Sequence, residues 1–223
     1  MPANRTVVIT GANRGIGLEL ARHYARDSWT VIGVCRQASD ELGEVAARVI
    51  DGVDVTTDSG IRKLTAALEG ETIDLLINNA GLLQDEKLGS IDFDSIRTQM
   101  EINAYAPLRV AEALAPRIPS GGRIANITSR MGSIADNDSG GRYGYRASKA
   151  ALNAFGKSLA MDLKPRGIAV AQLHPGYVKT RMVNFGGLIT PEESAKGLVA
   201  RIEGLNLENT GSFWHSNGEE LPW

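Results

Sequence analysis

The chain has 223 residues and 43% hydrophobic content, enough for one sizeable core and too few for two ordinary domains, so residues 1–223 are expected to form a single domain. A net charge of −2 and a pI near 6.0 provide no field that would gather nucleic acid or an anionic membrane. Cys35 is the only cysteine, which excludes an intrachain disulfide and a cysteine-rich zinc site and fits a reducing compartment. The N-terminus lacks the hydrophobic core of a signal peptide and no stretch approaches membrane-spanning length, so a cytoplasmic protein is expected.

Short β-branched and apolar runs recur along the chain at residues 7–9, 31–34, 75–77, 124–127 and 168–173, each reading as a strand buried on both faces. Between them lie helical spacings, such as Leu18, Ala21 and Ala25, then Ile61, Leu64 and Leu68. This alternation predicts an α/β fold: a Rossmann-type, doubly wound parallel sheet of about seven strands with helices on both faces. The Ser120-Gly121-Gly122 and Ser139-Gly140-Gly141 stretches read as loops ahead of a strand and a helix. After Pro175 the pattern offers one helix, Pro191–Glu203, and one short run at residues 212–215.

The first strand leads into Gly11-Ala12-Asn13-Arg14-Gly15-Ile16-Gly17 and then a helix, the order a dinucleotide site requires. Glycine there lets the backbone turn sharply and approach a pyrophosphate, which the unpaired amides of the helix start would attract. The spacing is T-G-x-x-x-G-x-G rather than G-x-G-x-x-G, and a tight turn without ligand is the plain alternative. The second strand ends at Cys35-Arg36, with no acidic residue to hold both ribose hydroxyls. Arg14 and Arg36 are instead suited to clasp a ribose 2′-phosphate, so NADP(H) is expected in preference to NAD(H); the alternative is two solvated loop arginines. Asp54, followed by Val55 after the third strand, either bonds an adenine amino group or caps the helix beginning near Asp58. Asn78-Asn79-Ala80-Gly81 closes the fourth strand at the sheet edge where ligands bind in such folds.

Tyr145-Arg146-Ala147-Ser148-Lys149 continues as a helix through Leu152, Phe155 and Leu159, so Tyr145 and Lys149 share a face. At an effective dielectric near 20 and ~4 Å, an ammonium attracts a phenolate by about 4 kcal/mol, enough to bring a phenol pKa from about 10 to near 7. Ser129, after the fifth strand, is placed to hydrogen-bond a substrate oxygen, although it, Thr128 and Ser133 would also serve as ordinary turn hydroxyls. Asn103 shares a helical face with Ile96 and Met100, and Pro107 four residues later has no amide hydrogen for the Asn103 carbonyl. That carbonyl either holds a water relaying protons toward Lys149, or belongs to a structural kink in which a neighbouring loop satisfies Asn103.

From Gly11 through Pro175-Gly176 these residues resemble the short-chain dehydrogenase/reductase family. The segment 132–137 leading into Tyr145, and the ending Leu221-Pro222-Trp223, is similar to C-factor-like and sniffer-like carbonyl reductases. The resemblance implies an oxidoreductase that interconverts a small-molecule carbonyl and an alcohol using NADP(H). It makes Tyr145 the general acid, Lys149 its electrostatic partner and a ribose ligand, Ser129 the hydroxyl that orients the carbonyl, and Asn103 the relay residue. Asn79, Ala80 and Gly81 would line the cofactor; in Pro175-Gly176-Tyr177-Val178-Lys179-Thr180, Val178 would face the nicotinamide amide and Thr180 the nearby phosphate or amide. The resemblance also implies a homodimer or homotetramer through a helix face of Ala147, Ala150, Ala151 and Ala154, whose other reading is packing against the sheet. A short substrate-covering region after Thr180 implies an open pocket. A competing function is a nucleotide-binding signalling or redox-sensing module without turnover. His23, His174 and His215 lack metal-ligand spacing, so no metal is expected; Trp29, Trp214 and Trp223 read as packing anchors.

Overall fold

The computed structural model describes residues 5–223. Seven strands, β1 (Thr6–Thr10), β2 (Thr30–Val34), β3 (Arg48–Ile50), β4 (Leu75–Asn78), β5 (Arg123–Ile127), β6 (Ala169–His174) and β7 (Phe213–His215), form one sheet in the order β3-β2-β1-β4-β5-β6-β7. Every neighbouring pair is parallel, so all carboxyl ends share one edge. The order reverses between β1 and β4, and the crevice above that switch point is where such sheets bind ligands.

Alternation along the strands supplies two apolar layers. Val7 and Ile9 of β1 face one layer with Leu18 and Ala21 of α1 (Gly15–Arg26), Leu42 of α2 (Asp40–Val45) and Leu198 and Ile202 of α7 (Pro191–Glu203). Val8 faces the other with Leu64 of α3 (Asp58–Ala67), Val110 and Leu114 of α5 (Ala106–Leu114) and Ala160 and Leu163 of α6 (Tyr143–Leu163). Each fully buried aliphatic side chain contributes about 1.5–3 kcal/mol, and a strand buried on both faces collects this at every residue. The expected α/β architecture is therefore the observed one.

Local signals set most boundaries. Thr190 and Glu193 form a capping box around Pro191, the first residue of α7, which starts where the sequence places it. Thr57 accepts the Gly60 amide at 3.0 Å and caps α3, so the capping alternative for Asp54 falls to a neighbour. β3 is only three residues long and exposes Arg48 at the sheet edge, so no apolar run announces it. Trp29 is buried edge-on against Tyr24, and Trp223 packs on Phe213 at 5.3 Å between ring centroids while remaining 46% exposed. Among the described residues no helix is long and apolar enough to cross a membrane.

α4 (Phe93–Met100) runs into α5 through a π-helical turn, Glu101–Tyr105. The kink expected near Asn103 is thus a one-residue insertion into the helix, just ahead of Pro107. On α6 the buried face is Gly144, Tyr145, Ser148, Lys149, Leu152, Asn153 and Gly156. Ala147 and Ala154 are exposed and Ala150 and Ala151 half-buried, so the alanine face does not lie on the sheet.

Candidate active site

Two turns meet above β1 and β4. Thr10 Oγ accepts the amides of Asn79 at 3.0 Å and Ala80 at 3.2 Å, while Asn79 Nδ2 donates to the carbonyls of Thr10 at 3.1 Å and Gly11 at 3.0 Å. Gly17 cannot carry a side chain, because a Cβ would lie 2.3 Å from Gly11 O and 2.5 Å from Asn79 Nδ2. The glycine turn is therefore folded tightly onto the first turn of α1. Arg14, the N-cap residue, provides no side-chain cap, and no acidic residue lies in that first turn. The amides of Gly15, Ile16 and Gly17 are left for an external acceptor, and a bare glycine backbone beside them fits a phosphate group.

The flanks of this cradle hold the remaining nucleotide candidates. Asn13 Nδ2 donates to Gln37 O at 2.9 Å and its carbonyl accepts from Ser39 Oγ at 2.9 Å, which ties the turn to the loop after β2. Arg14 and Arg36 are both exposed. Asp54 Oδ1 accepts from the Thr56 amide at 3.0 Å and hydroxyl at 2.7 Å; these bonds, with Arg36 nearby, hold its carboxyl below the usual range, and Val55 is half-buried beside it. After β6, Pro175 O accepts the hydroxyls of Ser194 at 2.7 Å and Ser216 at 3.2 Å. The chain passes Gly176, buries Val178 and reaches Thr180, whose Cγ2 lies 3.5 Å from where a Cβ on Gly15 would stand. Thr180 thereby returns to the glycine turn across 165 positions of sequence.

The second group gathers at the carboxyl ends of β4 and β5. Lys149 Nζ donates to Ile127 O at 2.9 Å and lies 5.9 Å from the Tyr145 ring centroid. A Cβ on Gly81 would sit 3.8 Å from that Nζ and 3.4 Å from Asn103 Oδ1, so Gly81, Lys149 and Asn103 are neighbours. Asn103 is fully buried: Oδ1 accepts the Leu82 amide at 2.8 Å, and Nδ2 donates to Leu82 O at 2.7 Å and Ser148 Oγ at 3.0 Å. Its side chain is thus satisfied by the loop after β4, as the kink alternative required. Among the three hydroxyl candidates, Thr128 bonds Asn153 at 2.8 Å and Ser133 bonds Trp223 O at 3.1 Å, while Ser129 makes a local turn bond, accepting the Met131 amide at 3.1 Å, and also faces the phenol.

One expectation is overturned. The Tyr145 phenol is raised above its ordinary pKa, because burial outweighs the lowering by the Ser129 hydroxyl and the Arg142 charge. The lowering comes from Ser129 and Arg142 rather than from Lys149, whose ammonium burial pushes down to about 8 and which directs one of its three N–H donors at a backbone carbonyl. Within the chain alone the phenol is held as a proton donor, with a weakened ammonium beside it.

Sequence reasoning missed several groups here. His174 and His215, far apart in sequence, meet edge to face at 4.8 Å. Arg130, next to Ser129, pairs with Glu219 at 2.5 Å and Asp136 at 3.5 Å, tying the loop after β5 to the C-terminal segment. Glu86 lies in the polar run Gln84-Asp85-Glu86-Lys87, which carries the signature of a solvated loop, yet it is 2% exposed. No local pattern announces such burial.

Sheet order, glycine turn and polar cluster define a Rossmann-type protein whose glycine turn forms a cradle opening onto a buried tyrosine and lysine. The family model described as short chain dehydrogenase matches residues 5–186, and the chain belongs to that family of oxidoreductases. It is 40% identical to 1-hydroxy-2-glutathionyl-2-methyl-3-butene dehydrogenase of Rhodococcus sp. (strain AD45), over 98% of this chain and 99% of the relative. It is 43% identical to C-signal of Myxococcus xanthus, over 68% of this chain and 93% of the relative. The solved carbonyl reductase of Pseudomonas aeruginosa PAO1 in complex with NADP matches with a TM-score of 0.87 and 34% identity, over 99% of this chain and all of that one.

Proposed function

We propose that the chain is an NADP(H)-dependent carbonyl reductase, formed as one domain that binds the cofactor and turns over a small carbonyl or alcohol. The observation that carries the reading is the meeting of Tyr145, Lys149 and Ser129 beside Gly81, at the rim of the cradle built on Gly11, Gly15 and Gly17. The amides of Gly15, Ile16 and Gly17 hold the pyrophosphate, and Asn13, Asp54 and Val55 border the adenosine. Arg14 and Arg36 take the 2′-phosphate, and the solved NADP complex of a similar chain supports that choice over NAD(H). Asn79, Ala80, Gly81, Pro175, Gly176, Val178 and Thr180 flank the nicotinamide end. When bound, the cofactor supplies or accepts the hydride. Ser129 holds the substrate oxygen and Tyr145 delivers the proton to it. Lys149 steadies the cofactor ribose and the phenolate left behind, and the main-chain carbonyl of Asn103, which Pro107 has no amide hydrogen to bond, holds the water that brings the replacement proton. Burial, by keeping the phenol protonated, favours its use as the acid in the reducing direction.

The test is a cofactor-linked absorbance screen of ketones, aldehydes and quinones with NADPH and NADH, including a glutathionyl-bearing alcohol with NADP, since one relative is named for such a substrate. Tyr145→Phe is expected to bind NADPH as the parent does and to lose turnover at least ~10²-fold; parental turnover would remove Tyr145 from the acid role. Arg36→Ala is expected to lower the NADPH to NADH affinity ratio ~10-fold, and an unchanged ratio would remove the 2′-phosphate clasp. A second reading, a nucleotide-binding signalling or redox-sensing module, has the C-signal likeness in its favour. It predicts tight NADPH binding with no turnover across the same screen.

A further inference from the structure

Glu86 lies between β4 and α4, outside the set assigned above, and is buried without a cationic partner among the described residues: Oε1 accepts from Ser95 Oγ and from Gln99 Nε2, each at 2.5 Å. Oε2 accepts the amide of Gly144 at 3.0 Å, and the Glu86 backbone carbonyl accepts the amide of Arg142 at 2.9 Å. One residue therefore receives two amides at the entry to α6, whose N-cap residue Arg142 adopts φ 50° and supplies no side-chain cap of its own. The first amides of a helix need acceptors, and a carboxylate is the strongest available, because it also meets the positive end of the helix dipole.

Gly144 leaves no slack at this junction. A Cβ there would stand 2.6 Å from Gln99 Nε2 and 3.0 Å from the Cα of Ile96, so the first turn of α6 is pressed onto α4. Tyr145 is the next residue. We infer that Glu86 is a positioning residue for Tyr145, setting the depth and rotation of the first turn of α6 through the Gly144 amide. The inference rests on the reading of Tyr145 as the proton donor. It acts through backbone placement, and the contacts of Glu86 are with Ser95, Gln99, Arg142 and Gly144, none of them among the residues assigned to substrate or cofactor. Ser95 and Gln99 hold the carboxylate in turn, and Gln99 Oε1 anchors the Gln84 amide at 3.0 Å, so the loop after β4 and the start of α6 are fixed as one unit.

Glu86→Gln conserves shape but sets an amide NH2 against a second donor, whichever way it turns. The double variant Glu86→Gln with Gln99→Glu returns an acceptor to the pair. Expected for Glu86→Gln is a 10- to 100-fold fall in kcat, the scale of about 1 Å of misplacement, with the NADPH Kd within about 2-fold of the parent. The isotope effect with 4-deuterated NADPH is expected to rise, since the chemical step becomes slower, and the double variant to regain most of kcat. Ser95→Ala, which loosens the same carboxylate, provides a second variant if Glu86→Gln does not fold; about a 3-fold fall in kcat with a raised isotope effect is expected. Parental kcat and isotope effect in whichever variant folds would overturn the inference, as would equal losses of kcat and NADPH affinity or a double variant no better than the single. If Tyr145→Phe retains turnover, the reading of Tyr145 fails; if it is inactive while Glu86→Gln is parental, this inference alone fails.

Discussion

Lys149 follows Tyr145 by one helical turn, a spacing that in water would let the ammonium favour a phenolate. Burial changes the balance: the same low-polarity surroundings raise the phenol and lower the ammonium to about 8, and one of the lysine's three donors goes to Ile127 O. His174 shows the same effect at its strongest. Its Nδ1 is buried with no hydrogen-bond partner, and burial, with His215, Arg130 and Lys149 adding like charge, pushes its pKa down to about 3. The unfolded chain, with an ordinary value of 6.5, binds this proton more readily between pH 6.5 and 3. The contribution to stability is therefore complete above pH 6.5 and is lost as pH falls toward 3. Urea titrations at pH 7 and pH 4 are expected to show His174→Phe losing less stability on acidification than the parent, by on the order of 3 kcal/mol. An equal loss in both proteins would show that His174 does not supply the acid sensitivity.

At the scale of elements, α6 is placed by what lies beneath it. Asn78, Asn126 and Gln172 stand at matching register on β4, β5 and β6; Asn78 Nδ2 donates to Asn126 Oδ1 at 2.9 Å, Asn126 Nδ2 donates to Gln172 Oε1 at 3.1 Å, and Asn78 Nδ2 also donates to Pro107 O at 3.3 Å after the π-helical turn. This buried polar ladder links the bend between α4 and α5 to the sheet under α6. Its outer atoms, Asn78 Oδ1 and Gln172 Nε2, are already buried without a partner among the described residues, so sliding that broke the inner bonds would strand further amide groups, and the ladder resists it. The π-helical turn has a matching role: it directs Asn103 inward onto Leu82, and Leu82 follows Gly81 at the cradle rim. Sequence periodicity revealed the helix and the inward amide. It had no means of distinguishing a free carbonyl from an inserted residue, because both follow from the same spacing ahead of Pro107.

For the whole molecule, the alanine face of α6 is turned outward, with the Tyr105 and Phe155 rings 6.2 Å apart across the junction of α5 and α6. Small side chains beside exposed aromatic surface let a second helix approach closely, and we propose a homodimer or homotetramer through this face. Light scattering is expected to return a mass at or above twice the 23.8 kDa of one chain. Ala154→Arg is expected to lower it at least twofold, and a monomeric parent would end the proposal.

The parallel sheet, the glycine turn and the shared face of Tyr145 and Lys149 were legible in the residues, because strand burial, a tight turn and helical period are local properties that each leave a repeating or compact pattern. The ladder of Asn78, Asn126 and Gln172, the pairing of His174 with His215, and the burial of Glu86 under Gly144 were decided only in three dimensions. Each joins residues tens of positions apart, and whether a polar side chain is solvated or enclosed depends on what the rest of the chain lays over it. For the same reason the protonation of Tyr145 was not readable from its spacing to Lys149: the charge that spacing brings near is set against a desolvation that only the completed packing imposes.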